Sequence, residues 1–177
     1  MPPRPAAEPG PDARKPDYAV LMVCTGNICR SPTADGLLRH ALLRAGLADR
    51  VLVDSAGTHD YHIGDPPDRR SIATARRYGV DLANLRARQV TAMDFARFDL
   101  VLAMDDGHYR QLQALCPPDH RDRLKFYLSY APQFGRDVPD PYYGDGDGFE
   151  AVWRMCEAVT EALVADIRSS LADRHLE

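Results

Sequence analysis

Val20-Leu21-Met22-Val23-Cys24-Thr25-Gly26-Asn27-Ile28-Cys29-Arg30-Ser31-Pro32 is the stretch on which the fold turns. Its apolar start has the length of a strand and stops at Cys24, a small and polar loop follows, and Ser31-Pro32 opens a helical pattern, with proline suited to the first helical position. A helix N-terminus leaves backbone N–H groups unpaired and carries partial positive charge, so the loop feeding it can hold an anion. Gly26 can take positive φ without penalty and Asn27 tolerates the left-handed region, which lets the loop curl until its N–H groups converge. Thr25, Gly26, Asn27, Ile28, Cys29 and Ser31 are therefore candidate binding residues for a tetrahedral oxyanion. Arg30 adds a planar fork suited to two oxygens of a phosphate, and the Ser31 hydroxyl can either cap the helix or bond the Cys24 sulfur. The positive helix end and the neighbouring cation favour a thiolate, which makes Cys24 a candidate nucleophile. A buried strand-end cysteine beside an unrelated arginine would explain each residue separately. It would not explain why strand, loop and helix follow in this order.

Outward from this segment, Leu37, Leu38, Ala41, Leu42 and Ala45 continue the helix from Pro32, and Gly46 is placed to end it. Val51-Leu52-Val53 reads as a second strand finishing at Asp54-Ser55-Ala56-Gly57. Strand, helix and strand imply a parallel pair with a right-handed crossover. Ligands of such sheets gather at the carboxyl ends of the strands, which places Ser55 to Tyr61 beside the Cys24 loop. A helix is expected from about Asp68 to Tyr78, a short strand at Gln89-Val90 and a brief helix capped by Thr91. A buried strand follows at Leu100 to Met104, then an Asp105-capped helix to Leu115 and a last strand at Leu124 to Leu128. Ser129 to Gly148 reads as one long loop, a length that usually signals function or disorder. Asp147 and Glu150 suggest a capping box for a final helix. Its stripe of Phe149, Val152, Trp153, Cys156, Val159, Leu163 and Ile167 should pack on the sheet.

The chain has 177 residues, 45% of them hydrophobic, and a formal net charge of −4, which suits one domain with a substantial core. The mild acidity and lack of a basic stripe argue against nucleic acid as a partner. No run reaches transmembrane length and the N-terminus lacks the apolar stretch of a signal peptide, so no membrane span and a cytoplasmic location are expected. Residues 1–17 hold six of the fourteen prolines and read as a disordered leader before a domain at 18–177. The four cysteines, Cys24, Cys29, Cys116 and Cys156, fit reduced thiols better than a disulfide framework or a zinc site. The histidines lack ligand spacing apart from His59 and His62 on one loop, and no metal is expected.

Val23-Cys24-Thr25-Gly26-Asn27-Ile28-Cys29-Arg30-Ser31-Pro32, with Asp140-Pro141-Tyr142-Tyr143-Gly144 far downstream, resembles the low-molecular-weight protein tyrosine phosphatases. The similarity runs from about Tyr18 to the last helix. It implies an α/β fold with three layers, α/β/α, around a mostly parallel four-stranded sheet, and the Cys-x5-Arg loop between the first strand and the first helix. It also implies hydrolysis of protein phosphotyrosine through a cysteinyl-phosphate intermediate, with no metal or other cofactor. Phosphotyrosine-containing proteins would be the partners, and phosphate or vanadate the inhibitor anions. By the same resemblance, Asp140 is the general acid and base, Tyr61 flanks the substrate ring, and Ser55 braces the loop through Asn27. Where the family often has a bracing histidine this chain has Leu85, so that bracing must differ in part.

Physical chemistry adds detail to these expectations. An acid that protonates the leaving oxygen typically contributes ~10²–10⁴ in rate, and Pro141 stiffens the backbone beside Asp140. Tyr142 and Tyr143 can line a deep slot, which favours a flat aryl phosphate over phosphoserine. Cys29 is either a thiol able to trap oxidised Cys24 as a disulfide or a small residue packed under the loop. Two rival readings remain. An arsenate reductase on the same fold would need cysteines on a mobile segment, which Cys116 and Cys156 do not provide. A non-catalytic phosphotyrosine-binding module would need neither Cys24 nor Asp140.

Overall fold

The computed structural model describes residues 14–144 and 147–174. Most of the expected leader lies outside the described residues, and Asp17 is already tied to the folded body, its N–H donating to the Arg50 carbonyl at 2.8 Å. Four strands, β1 (Tyr18–Cys24), β2 (Val51–Gly57), β3 (Leu100–Ala103) and β4 (Leu124–Phe126), form one parallel sheet in the order β2-β1-β3-β4. Side chains of β1 alternate between its faces, as strand geometry requires. Val20, Met22 and Cys24 join a core with α1 (Arg30–Arg44), α2 (Arg69–Arg77) and α5 (Asp147–Arg174). Ala19, Leu21 and Val23 join a second core with α3 (Asp94–Arg97) and α4 (Asp106–Leu115). The result is the expected three-layer α/β/α arrangement, with β1 buried on both sides.

This strand order positions the site. β1 pairs with β2 on one side and β3 on the other, with Cys24 opposite Gly57 and Val23 opposite Ala103. The chain leaves β1 for α1 on one face and leaves β3 for α4 on the other. The divergence opens a crevice at the carboxyl ends of these strands, the usual ligand position in open α/β sheets.

Several boundaries differ from the sequence reading. α1 begins at Arg30, two residues before Pro32, and its N-cap Cys29 provides no side-chain hydrogen bond. The last strand ends at Phe126, and Tyr127–Tyr130 turn into a 3₁₀ helix. Tyr127 and Leu128 are consecutive yet enter the same core, which the alternation of a strand forbids and a tight turn under α5 allows. Gln89 makes only an isolated bridge to Gly57. The loop after β4 contains a further 3₁₀ turn at Pro132–Phe134 and buries Val138, whose N–H donates to the Met104 carbonyl at 2.8 Å. Asp147, expected as the cap, is already helical, and Glu150 has partners on another segment. Its carboxylate accepts from Arg77 Nη2 at 2.9 Å and from the Tyr78 hydroxyl. The expected stripe of α5 is buried throughout, from Phe149 to Ile167, and each large aliphatic side chain so covered contributes roughly 1.5–3 kcal/mol by transfer from water.

Candidate active site

Cys24 ends β1 with 3% of its surface exposed, and the loop from Thr25 to Cys29 carries the chain to α1. The residue in the left-handed region is Asn27, with φ 58°, and not Gly26. Asn27 can hold that conformation because both ends of its amide are engaged. Nδ2 donates to Ser31 Oγ at 2.8 Å and Oδ1 accepts the Arg88 N–H at 3.1 Å. Gly26 serves close approach instead, since a Cβ there would lie 2.9 Å from His62 Cδ2. Gly57 is constrained from the neighbouring strand, where a Cβ would come within 2.6 Å of the Thr25 carbonyl oxygen.

Ser31 takes the second of its two expected roles, with Oγ 3.0 Å from Cys24 Sγ. Asn27 donates into that same oxygen, so the hydroxyl proton of Ser31 is available to the sulfur, and its other acceptor, the Ala56 carbonyl, is 3.4 Å away. Because Cys29 leaves the first turn of α1 without a side-chain cap, its N–H groups remain available to an anion. The Cys29 thiol is itself buried and pushed up to about 12 by desolvation, with Asp68 and Cys24 adding to the effect.

Arg30 is 4% exposed and is fixed from three directions. Nη1 donates to Asp105 Oδ2 and to the Val138 carbonyl, both at 2.9 Å, and Nη2 to Thr25 Oγ1 at 3.4 Å. Asp105 divides its carboxylate, since Oδ1 caps α4 by accepting the His108 N–H at 3.0 Å. The His108 ring lies behind the loop, Nε2 2.7 Å from Thr25 Oγ1 and Nδ1 3.1 Å from Asp105 Oδ1, the latter without hydrogen-bond alignment. Burial and then the nearby Arg30 charge bring the imidazole down to about 4, so it stays neutral near neutral pH. Thr25, His108, Asp105 and Arg30 thus form a closed support under the loop.

A cleft of about 240 Å³ opens above it, lined by Cys24, Thr25, Gly26, Ile28, Cys29, Arg30, Tyr61, His62, Asp140, Tyr142 and Tyr143. Asp140 Oδ2 lies 3.7 Å from Arg30 Nη2, and Oδ1 accepts the Tyr142 N–H at 3.0 Å. Tyr61 is 69% exposed and stacks on His59 at 4.9 Å, forming one wall. Tyr142 and Tyr143 meet edge to face at 5.0 Å on another. Asn27 and Ser31, expected among the binding residues, do not line the cleft, because Asn27 is turned to Ser31, and Ser31 to the Cys24 sulfur. Among the described residues no three His, Cys, Asp or Glu side chains group to hold a metal, and His62 pairs with Asp65 at 3.2 Å.

In sequence, the family model described as low molecular weight phosphotyrosine protein phosphatase matches residues 19–173. The chain belongs to this family. This phosphatase is 44% identical over 162 residues to the low molecular weight protein-tyrosine-phosphatase of Streptomyces coelicolor, covering 89% of this chain and 98% of that one. It is 39% identical over 146 residues to the human low molecular weight phosphotyrosine protein phosphatase, covering 81% and 92%. The crystal structure of a protein tyrosine phosphatase from Entamoeba histolytica with Hepes in the active site superposes with a TM-score of 0.83 at 32% identity, covering 86% of this chain and 98% of that one. The chain is accordingly a protein-tyrosine-phosphatase, and phosphotyrosine is its substrate class. No described helix is long and apolar enough to cross a membrane.

Against the expectations from this family, two supports differ. Ser55 does not reach Asn27. Its hydroxyl donates to Asp35 Oδ2 at 2.9 Å, a carboxylate on α1 whose complete burial raises its proton affinity and which Arg39 also pairs. β2 holds Ser55 beside α1, which leaves Asn27 to Ser31 and to the Arg88 backbone. At the place of the missing histidine, Leu85 packs against the core, and Arg88 does the bracing. The Arg88 guanidinium is fixed by Asp54 at 2.9 Å and Asp94 at 3.0 Å. Sequence reading also passed over His108 and Val138, and treated Asp105 only as a cap. The signal for the first was present in Asp105-x-x-His108, directly after the strand beside β1.

Proposed function

We propose that this phosphatase acts through a cysteinyl-phosphate intermediate, and that Cys24, Arg30 and Asp140 carry the reaction. The supporting observation is their convergence on one cleft, with Asp140 above the Arg30 guanidinium and Cys24 at its floor. The Cys24 thiolate attacks phosphorus as the bond to the phenolic oxygen breaks, and Asp140 gives that oxygen its proton. Water then attacks the phosphocysteine, Asp140 takes the water proton, and inorganic phosphate leaves with the Cys24 thiolate restored. Arg30 Nη1 is committed to Asp105 and Val138, so Nε and Nη2 are the atoms for two phosphoryl oxygens, with the loop N–H groups holding the rest of the charge. Tyr61, Tyr142 and Tyr143 accept the aryl ring. Phosphate and vanadate should compete for the same cradle. A reductase relay is disfavoured because Cys116 and Cys156 belong to cores on opposite faces of the sheet. Four unpaired thiols suit a reducing, cytoplasmic setting.

The test is Asp140→Asn across a series of aryl phosphates, reading kcat/KM because it reports phosphoryl transfer to the enzyme. Phosphotyrosine, whose phenolate has a pKa of ~10, should lose about 10²-fold or more, and dinitrophenyl phosphate less than about tenfold. An equal loss for every leaving group would give Asp140 a structural role instead.

Cys29 carries a second expectation for the same site. Peroxide converts an accessible thiolate to a sulfenic acid, and the Cys29 thiol can condense with it to a Cys24–Cys29 disulfide, releasing water. Mild peroxide should then inactivate the enzyme reversibly, with peptide mapping showing that bond and a dithiol restoring activity. If Cys29→Ser recovers as fully as the parent, Cys29 is a packing residue.

A further inference from the structure

The segment that carries Asp140 follows the buried Val138 and is buried again at Pro141, which lies 3.3 Å from where a Cβ on Gly148 would stand, and its Pro139 and Pro141 have no N–H to give. Within it, Tyr142 N–H holds Asp140 Oδ1 and Gly144 N–H reaches the Pro141 carbonyl at 3.4 Å. Among the described residues, the one hydrogen bond that residues 139–144 receive from elsewhere in the chain comes from Arg70, whose Nη2 donates to the Tyr142 carbonyl at 3.3 Å. The Arg70 guanidinium also lies 5.4 Å from the centre of the Tyr142 ring and 4.6 Å from that of Phe149, at the start of α5. It does not line the cleft.

Arg70 is in turn held from the phosphate loop. Asp68 takes Arg70 Nε and Nη2 on its two oxygens, each at 3.0 Å, and caps α2 by accepting the Arg70 N–H at 2.8 Å. The Asp68 N–H donates to the carbonyl of Ile28, inside the phosphate loop, at 2.8 Å. A continuous path therefore runs from Ile28 through Asp68, Arg70 and Tyr142 to the Asp140 carboxylate. A planar fork with one edge on a carboxylate and a face on two aromatic rings can fix both distance and orientation.

We propose that Arg70 is the positioning residue that sets the height of Asp140 above Cys24, by coupling the acid segment to the phosphate loop. This deepens the reading of Asp140 as the acid and rests on it. Arg70 acts on protonation of the leaving group and leaves anion binding alone, since Arg30 and the loop N–H groups keep their own partners.

The experiment compares Arg70→Ala, Arg70→Lys and Asp140→Asn over the same aryl phosphate series, with Arg69→Ala as a control that removes an adjacent charge from the same helix. Arg70→Ala should lower kcat/KM for phenyl phosphate about 10- to 10²-fold, part of the ~10²–10⁴ that a placed acid supplies, and for dinitrophenyl phosphate less than about threefold. Arg70→Lys, which keeps the charge and loses the fork, should fall between Arg70→Ala and the parent. Inhibition by vanadate should be unchanged, and Arg70→Ala should add nothing in an Asp140→Asn background. A loss that is equal for all leaving groups, a loss that multiplies with that of Asp140→Asn, or no loss in either Arg70 variant overturns the inference while leaving Asp140 as the acid. If Asp140→Asn itself shows no leaving-group dependence, the acid reading falls and this inference with it.

Discussion

Cys24→Ser is expected to abolish phosphotyrosine turnover, by about 10⁴-fold or more, as removal of a covalent nucleophile does elsewhere. A serine hydroxyl occupies nearly the same space at the end of β1 but is not ionised at neutral pH, and the two neighbours that serve a thiolate, Ser31 Oγ and the first turn of α1, cannot make it so. The rest of the cradle does not include the sulfur. Asn27 remains bonded to Ser31 and Arg88, and Arg30 to Asp105 and Val138. Binding of inorganic phosphate, measured by calorimetry, should therefore survive, and the thermal midpoint should change little. Substantial residual turnover by a folded Cys24→Ser protein would remove Cys24 from the chemistry.

Arg30→Lys should be nearly as damaging, for a geometric reason. An ammonium retains the charge but is a single point of donation, whereas the guanidinium serves Asp105 and Val138 through Nη1 and has other edges left for substrate. Lysine can satisfy the supports or the phosphate, and satisfying one leaves the other short. The expected loss in kcat/KM is about 10²–10³-fold, the scale seen when one preorganised donor to developing charge is deleted. Phosphate affinity should fall in parallel, and leaving Val138 or Asp105 unsatisfied should cost about 1–3 kcal/mol of stability. A variant within tenfold of the parent in kcat/KM would show that charge alone suffices.

The contrast between what could and could not be read from the sequence follows range. Cys24 to Pro32 was legible because strand, loop and helix follow one another locally, although the partners that hold Arg30 and Thr25 arrive from far downstream. Of the two residues able to take positive φ, Asn27 does so and Gly26 does not, a choice set by Arg88 and His62, which arrive from other segments. Ser55 was assigned to Asn27 by family likeness. Its actual partner, Asp35, follows from how β2 lies along α1. The 3₁₀ turn at Tyr127 carries the same kind of apolar run as a strand, and only its placement under α5 distinguishes the two. Arg70 is one of several arginines on α2, and nothing in the sequence separates it from Arg69. Its importance is set by a tyrosine 72 positions away.

Arg30 finds its partners 75 and 108 residues downstream, and β1 finds its second neighbour about 80 residues away. Closing such loops costs entropy before any contact repays it, and parallel pairings of this range are slow to form. The catalytic centre is therefore absent from any nascent or half-folded chain, however complete its first strand and helix. Asp105 and Val138 must both dock before Arg30 is held in place. Enzymatic competence is thus a property of the finished topology and not of any one segment of it.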